Sequence, residues 1–322
     1  MNNNFNATCN ISELFKKTVL KTEPDFIDQS SILNHGISSA GGLGFTAGSG
    51  IRPKSVTLTS PILDSDNHII ATAHQQQIHQ QQLQLIGSTL SVKVTINNCK
   101  KSYLYILVNI AFINISNCHD CIIVLGPCTE YIDIVDSSKI TLIAITKSLK
   151  IRSSSAISLN LCCNQRPMVT FDCVDVRFAP YNTHYQTLEN HLLHSKLLTS
   201  MQNNQWNLPQ IVDQNGQNVS LDQQQQQTIF KISEPEEFCP FTIPFLIKGK
   251  TKVNPIELPP KYKQALIDKQ NAVHNLHKLI QSATQDSKTK SNLLHLIESK
   301  FQDWLVETDN IRQINDLINL KR

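Results

Sequence analysis

Between residues 88 and 180 an apolar-X-apolar triplet returns at near-constant spacing. It falls at Val94/Ile96, Ile113/Ile115, Ile132/Ile134, Leu149/Ile151 and Val169/Phe171, in steps of 19, 19, 17 and 20 residues. A second series follows at Leu104/Ile106, Ile122/Val124, Ile140/Leu142, Ile157/Leu159 and Val174/Val176, in steps of 18, 18, 17 and 17. After each triplet of the first series come small or polar residues, as in Asn97-Asn98-Cys99, Ser116-Asn117-Cys118 and Val135-Asp136-Ser137. Alternation at period two is the signature of strands with one face inward. Two in-phase strand signals in each repeat of this length predict a chain wound as a parallel β-helix, each coil stacking its apolar row on the one below. A β-sandwich would not demand such even steps.

The flanks read differently. Residues 1–50 are Asn-rich and then Gly/Ser-rich, which predicts a disordered, low-complexity lead-in with a helix turn or two at Ile11 to Leu20. Residues 51–87 read as a linker, and the Gln-rich runs Gln75–Gln82 and Gln223–Gln227 as exposed loops. The strand repeat is assigned to 88–182 and a mixed extension to 183–258, with a short helix near Thr187 to Leu198 and strand-like character from Phe230 to Ile247. From residue 259 to 322 the apolar spacing becomes helical. Leu293, Leu294, Ile297, Phe301, Trp304 and Leu305 mark one stripe, read as core-facing or as a docking face.

Charge narrows the function classes. Lys+Arg 29 against Asp+Glu 26 leaves +3 with no block of like charge, which argues against phosphate-driven nucleic-acid binding. No stretch of 18 apolar residues exists, so no membrane span is expected, and the polar start predicts a cytoplasmic chain with reduced thiols.

Residues 92–185 resemble the tubulin-binding cofactor C-like domain, also called the C-CAP domain. The resemblance rests on the repeats, on Leu149-Lys150-Ile151-Arg152, and on Val176-Arg177-Phe178-Ala179-Pro180-Tyr181. Thr183-His184-Tyr185, the segment from Phe238 to Phe245 and Lys300-Phe301-Gln302-Asp303-Trp304-Leu305 narrow it to the centrosomal TBCC-domain-containing type. It implies a mainly β fold, a right-handed parallel β-helix with a C-terminal α-helical appendage. It also implies a catalytic question, because cofactor C stimulates GTP hydrolysis through an outward arginine in a Gln-Gln-Leu/Phe-Arg-X-His strand. The matching residues here are Lys147, Ser148, Leu149, Lys150, Ile151 and Arg152, so Lys150 takes the arginine's place and both glutamines are absent. An arginine finger acts through a planar fork of donors on the developing phosphate charge. Lysine keeps the charge without the fork, which argues against GTPase activation.

Three readings of Lys150 stand side by side: a solvated pair with Asp133 on the neighbouring coil, contact with a partner surface, or a working finger. Lys150, Arg152, Phe178, Pro180 and Tyr181 form the candidate binding surface. Cys118-X2-Cys121, Cys128 and His119 suggest a metal at first sight, but only one CxxC pair occurs and small thiols suit a solenoid interior. His184, His191 and His194 with Asp172, Asp175 and Glu189 lack any accompanying hydrolase motif. No catalytic residue, metal or cofactor is therefore assigned. The resemblance implies a non-enzymatic cytoskeletal protein at the centrosome (the microtubule organizing center) and spindle pole, acting on centrosome and Golgi positioning, cell shape and migration. Its partners would be centrosomal or cytoskeletal proteins, tubulin or an Arf-like small GTPase. The alternative is a GTPase-activating protein for tubulin or an Arf-like GTPase. An actin-monomer binder is a weaker third reading.

Overall fold

The computed structural model describes residues 7–22, 25, 92–283, 287–308 and 310–320. The Gly/Ser-rich stretch 36–50, the linker 51–87 and the Gln75–Gln82 run lie outside the described residues.

The chain forms two stacks of parallel strands. One stack runs β1 (Ala7–Ser12), β3 (Val92–Asn97), β5 (Ile110–Ser116), β7 (Cys128–Val135), the second half of β8 (Ser138–Arg152), β10 (Met168–Thr170) and β12 (Gln210–Val212). The other runs β2 (Thr18–Lys21), β4 (Tyr103–Ile106), β6 (His119–Leu125), the first half of β8, β9 (Ser155–Cys163), β11 (Val174–Pro180) and β13 (Phe230–Ile232). This is the parallel β-helix that the repeat implies. Val94, Ile113, Ile132 and Leu149 share one buried row, and Ile96, Ile115, Ile134 and Ile151 the next.

The corner between the stacks is built from left-handed residues. Glu13, Asn98, Asn117, Asp136 and Ser153 all have φ between 47° and 56°. Asn and Asp tolerate this region better than other side chains, which accounts for the polar residue that follows each triplet. The next residue, Cys99, Cys118, Ser137 or Ser154, turns inward and is buried. There the backbone N–H of Cys118 donates to Ser137 Oγ and that of Ser137 to Ser154 Oγ, each at 3.1 Å. Each serine hydroxyl in turn donates to a carbonyl in its own coil, Ser137 to Val135 at 2.8 Å and Ser154 to Arg152 at 2.7 Å. The hydrogen-bond ladder thus continues around the turn.

The structure corrects several expectations. Ile11 to Leu20 is not helical: it lies in the first coil, where β1 and β2 pair with β3 and β4, so ladder formation overrides local periodicity. The lead-in is therefore ordered over 7–22, and the strands there join the same compact unit as residues 90–322. The solenoid also continues past 182, through β12 and β13. The second-series triplet at β6 is out by one residue: Ile123 and Leu125 stack on Leu104 and Ile106, while Ile122 and Val124 face the other side. Val169 pairs with Ile151 rather than Leu149, and Phe171 is 49% exposed beyond the strand's end. The Gln223–Gln227 run forms a helix, because Asp222 and Gln225 make a capping box.

Among the described residues five α-helices join the strands: α1 (Leu188–Ser195), α2 (Gln223–Ile229), α3 (Pro260–Ala283), α4 (Ser287–Glu307) and α5 (Asn310–Leu320). An apolar cluster covers the outside of the second stack, where Tyr105, Val124 and Ile143 meet Tyr181, Tyr185, Leu188, Ile243 and Phe245. Leu317 of α5 packs against it, and the Tyr103 hydroxyl donates to Asn310 Oδ1 at 3.1 Å. No described helix is long and apolar enough to cross a membrane.

Candidate functional site

The outward face of the first stack carries the strand that matches the finger motif. Side chains alternate there: Leu149 and Ile151 are buried, while Ser148, Lys150 and Arg152 are half-exposed. In the ladder Tyr131 stands opposite Ser148, Asp133 opposite Lys150, and Val135 opposite Arg152. Strands of this kind hold neighbouring rows about 4.8 Å apart, so the face is a fixed grid of side chains.

Asp133 is not paired with Lys150, its neighbour in the ladder. Its carboxylate accepts from Arg152, Nε to Oδ1 at 3.2 Å and Nη2 to Oδ2 at 2.5 Å. The long planar guanidinium reaches diagonally across the grid and takes both oxygens, a geometry that lysine cannot supply. The Asp133 carboxylate holds the Arg152 guanidinium above its ordinary pKa. Lys147 pairs with Glu130 at 3.0 Å on the exposed rim. Lys150 has no ion-pair or hydrogen-bond partner among the described residues. Beside it Phe112 and Tyr131 meet edge to face, with centroids 4.9 Å apart.

Three of the candidate binding residues are not on the surface. Phe178 is buried against Phe230 at 6.0 Å, edge to face. Pro180 ends β11 opposite Leu161 and is buried. Tyr181 belongs to the apolar cluster, and its hydroxyl is buried without a partner in the described structure. The Val176 to Tyr181 motif is therefore a packing element: its outward residue is Arg177, held by Asp175 at 3.0 and 3.1 Å.

The other clusters separate in space. Cys118 and Cys121 flank one corner from inside, the latter donating to the Cys99 carbonyl at 3.4 Å. Cys128 lies in the other stack, its thiol directed at the Ala111 and Tyr131 carbonyls, and His119 Nδ1 bonds to Ser138 Oγ at 2.7 Å. His191 is buried with Nδ1 2.8 Å from the Tyr185 hydroxyl, and His194 bonds to the Asn190 carbonyl. Asp172 accepts from Thr170 and from Ser153 and Gln214. Among the described residues no group of three His, Cys, Asp or Glu side chains converges on a metal position.

Of the two readings of the stripe on α4, the core-facing one is not met. Phe301 and Trp304 stack at 5.8 Å, and both are about half exposed, as are Leu294 and Ile297, so the stripe does not face the core. What the sequence reading passed over is the lysine-rich loop after Phe245. Its signal was the alternation Lys248-X-Lys250-X-Lys252.

The outward strand of this parallel β-helix thus carries Lys150 and an Arg152 pinned on Asp133. Residues 91–211 match the family model described as tubulin binding cofactor C (TBCC), so the chain carries a TBCC domain. It is similar to proteins named TBCC domain-containing protein 1. The Mus musculus protein is 30% identical over 243 residues, covering 75% of this chain and 42% of its own length. The Gallus gallus protein is 28% identical over the same shares, and the Homo sapiens protein 27% identical over 79% of this chain and 44% of its own. The chain thus spans less than half the length of the curated relatives it matches.

Proposed function

We propose that this protein is a non-enzymatic cytoskeletal interaction protein, its β-helix acting as a rigid docking platform at the centrosome and spindle pole. There it influences centrosome and Golgi positioning, cell shape and migration. One observation carries the non-enzymatic part: the Arg152 fork is closed on Asp133, which leaves Lys150 as the cation of the motif strand without an ion pair among the described residues. A lone ammonium attracts a carboxylate or phosphate on a partner but lacks the bidentate geometry of a finger. The destination rests on the likeness to the TBCC-domain-containing type. The full-length tagged protein, imaged before and after microtubule depolymerisation, is expected to keep a focus at the centrosome. A diffuse signal in both conditions rejects that destination.

A second reading, a GTPase-activating protein for tubulin or an Arf-like small GTPase, draws on the same unpaired Lys150. Single-turnover GTP hydrolysis decides between the two. The platform reading expects no stimulation of either GTPase. Stimulation that is lost in Lys150→Ala assigns the enzymatic reading instead.

A further inference from the structure

The segment that follows Phe238 carries a surface that the β-helix face does not use. Along it the side chains divide: Ile243, Phe245 and Ile247 pack into the apolar cluster over the second stack, while Leu246, Lys248, Lys250 and Lys252 face solvent. Leu246 is 93% exposed and Val253 69%. A single exposed apolar side chain is ordinary; what sets this loop apart is that Leu246 and Val253 bracket Lys248, Lys250 and Lys252.

The loop is fixed by its backbone. Thr251 N–H donates to the Gln186 carbonyl at 3.0 Å, and Ile247 N–H to Gln186 Oε1 at 3.2 Å. Thr251 Oγ1 accepts from Glu189 N–H at 3.1 Å and donates to Glu189 Oε2 at 3.3 Å. Gly249 lies so close to Gln186 that a Cβ there would meet its carbonyl oxygen at 2.1 Å. Gln186 and Glu189 thus tie the loop to the start of α1, whose Leu193, one turn beyond Glu189, is 79% exposed. No acidic residue occurs in the sequence between Glu237 and Glu257. Among the described residues no carboxylate pairs with Lys248, Lys250 or Lys252. Glu189, the acid that faces the loop, is bonded to Thr251.

We propose that this loop docks the protein on an anionic lipid bilayer. Lys248, Lys250 and Lys252 meet the headgroup phosphates and carboxylates, and Leu246 enters the boundary between headgroups and acyl chains. The chemistry favours a bilayer over an acidic protein. A peptide anchor is buried in a groove, whereas Leu246 projects into solvent beside cations, the pairing that interfacial segments use. Each lysine near an anionic surface strengthens binding roughly fivefold, so three supply on the order of a hundredfold. This surface is separate from the Lys150 face, and the inference does not depend on the proposed function.

The test is sedimentation of the full chain with vesicles of phosphatidylcholine, with and without phosphatidylserine. Binding is expected to the phosphatidylserine vesicles alone and to weaken with added salt. The triple variant Lys248→Glu, Lys250→Glu, Lys252→Glu is expected to lose about a hundredfold or more. Leu246→Ser is expected to weaken binding several-fold with its salt dependence unchanged. An unchanged circular dichroism spectrum shows that both variants keep the fold. Equal binding to neutral vesicles, no binding to either kind, or wild-type binding by the triple variant overturns the proposal. Binding to polyglutamate without binding to vesicles overturns it in favour of an acidic protein partner.

Discussion

Arg152 grips Asp133 across one coil of the β-helix even though Lys150, not Arg152, stands opposite Asp133 in the strand ladder. That diagonal bond decides which cation of the motif strand is free. Because Asp133 is largely buried and the bond is forked, a double-mutant cycle on Arg152→Ala and Asp133→Ala should give a coupling of about 1 kcal/mol. Urea denaturation measures it. A coupling near zero would mean that the fork does not persist in solution.

Eight of the nine cysteines are buried and Cys239 is exposed. An aromatic disulfide reagent should therefore titrate Cys239 alone in the native protein and all nine thiols in denaturant. Fast reaction of more than one thiol would contradict the packing of the cysteine rows.

Those thiols also set an alkaline limit. Burial pushes Cys128, Cys162 and Cys163 up to about 12, whereas an unfolded chain ionises its thiols near 8.5. Above about pH 9 the unfolded state releases protons that the native state keeps. Stability should therefore fall between about pH 9 and 12, by up to ~1.4 kcal/mol per pH unit for each thiol. Melting curves across that range test this, and Cys162→Ala should flatten the slope.

Gly126 marks a point of close approach between coils. Its N–H donates to the Ile106 carbonyl at 2.7 Å, and a Cβ would lie 2.1 Å from the Val108 oxygen. The obstacle is backbone, so no side chain can swing aside. Gly126→Ala should cost about 2–4 kcal/mol, read as a lowered urea midpoint. A neutral outcome would show that the two coils can part.

Tyr181 presents the opposite case. Among the described residues its hydroxyl is buried without a hydrogen-bond partner, and burial raises its pKa above the usual phenol range. Removing such a group removes a desolvation cost. Tyr181→Phe should leave stability unchanged or raise it by about 1 kcal/mol. A loss of more than that would reveal a partner for the hydroxyl.

The first strand stack was legible in the sequence because one of its faces meets water. Val94, Ile96, Ile113, Ile115, Ile132, Ile134, Leu149 and Ile151 alternate with polar residues, and all are buried as their period predicts. The second stack is covered on its outside by Tyr181, Tyr185, Leu188 and Phe245, so its strands are apolar on both faces. In the run Ile122-Ile123-Val124-Leu125 the alternation is lost, and a slip of one residue reverses the facing of every side chain. At the candidate site the strand and its outward residues could be read directly. The Asp133 partner could not, because a diagonal reach depends on side-chain length rather than on register. Phe178 was misplaced although it continues the buried row Ile123, Leu142, Leu159, and Tyr181 because its cover, Ile243 and Phe245, arrives from far along the chain.

β1 and β2 are neighbours of β3 and β4 in space, yet residues 22–91 separate them in sequence. The opening coil is in effect an intramolecular ligand of the rest of the solenoid. Cleavage within 23–91 would convert it into a dissociable peptide, and a separate peptide spanning residues 7–22 would compete for the same edge of β3 and β4.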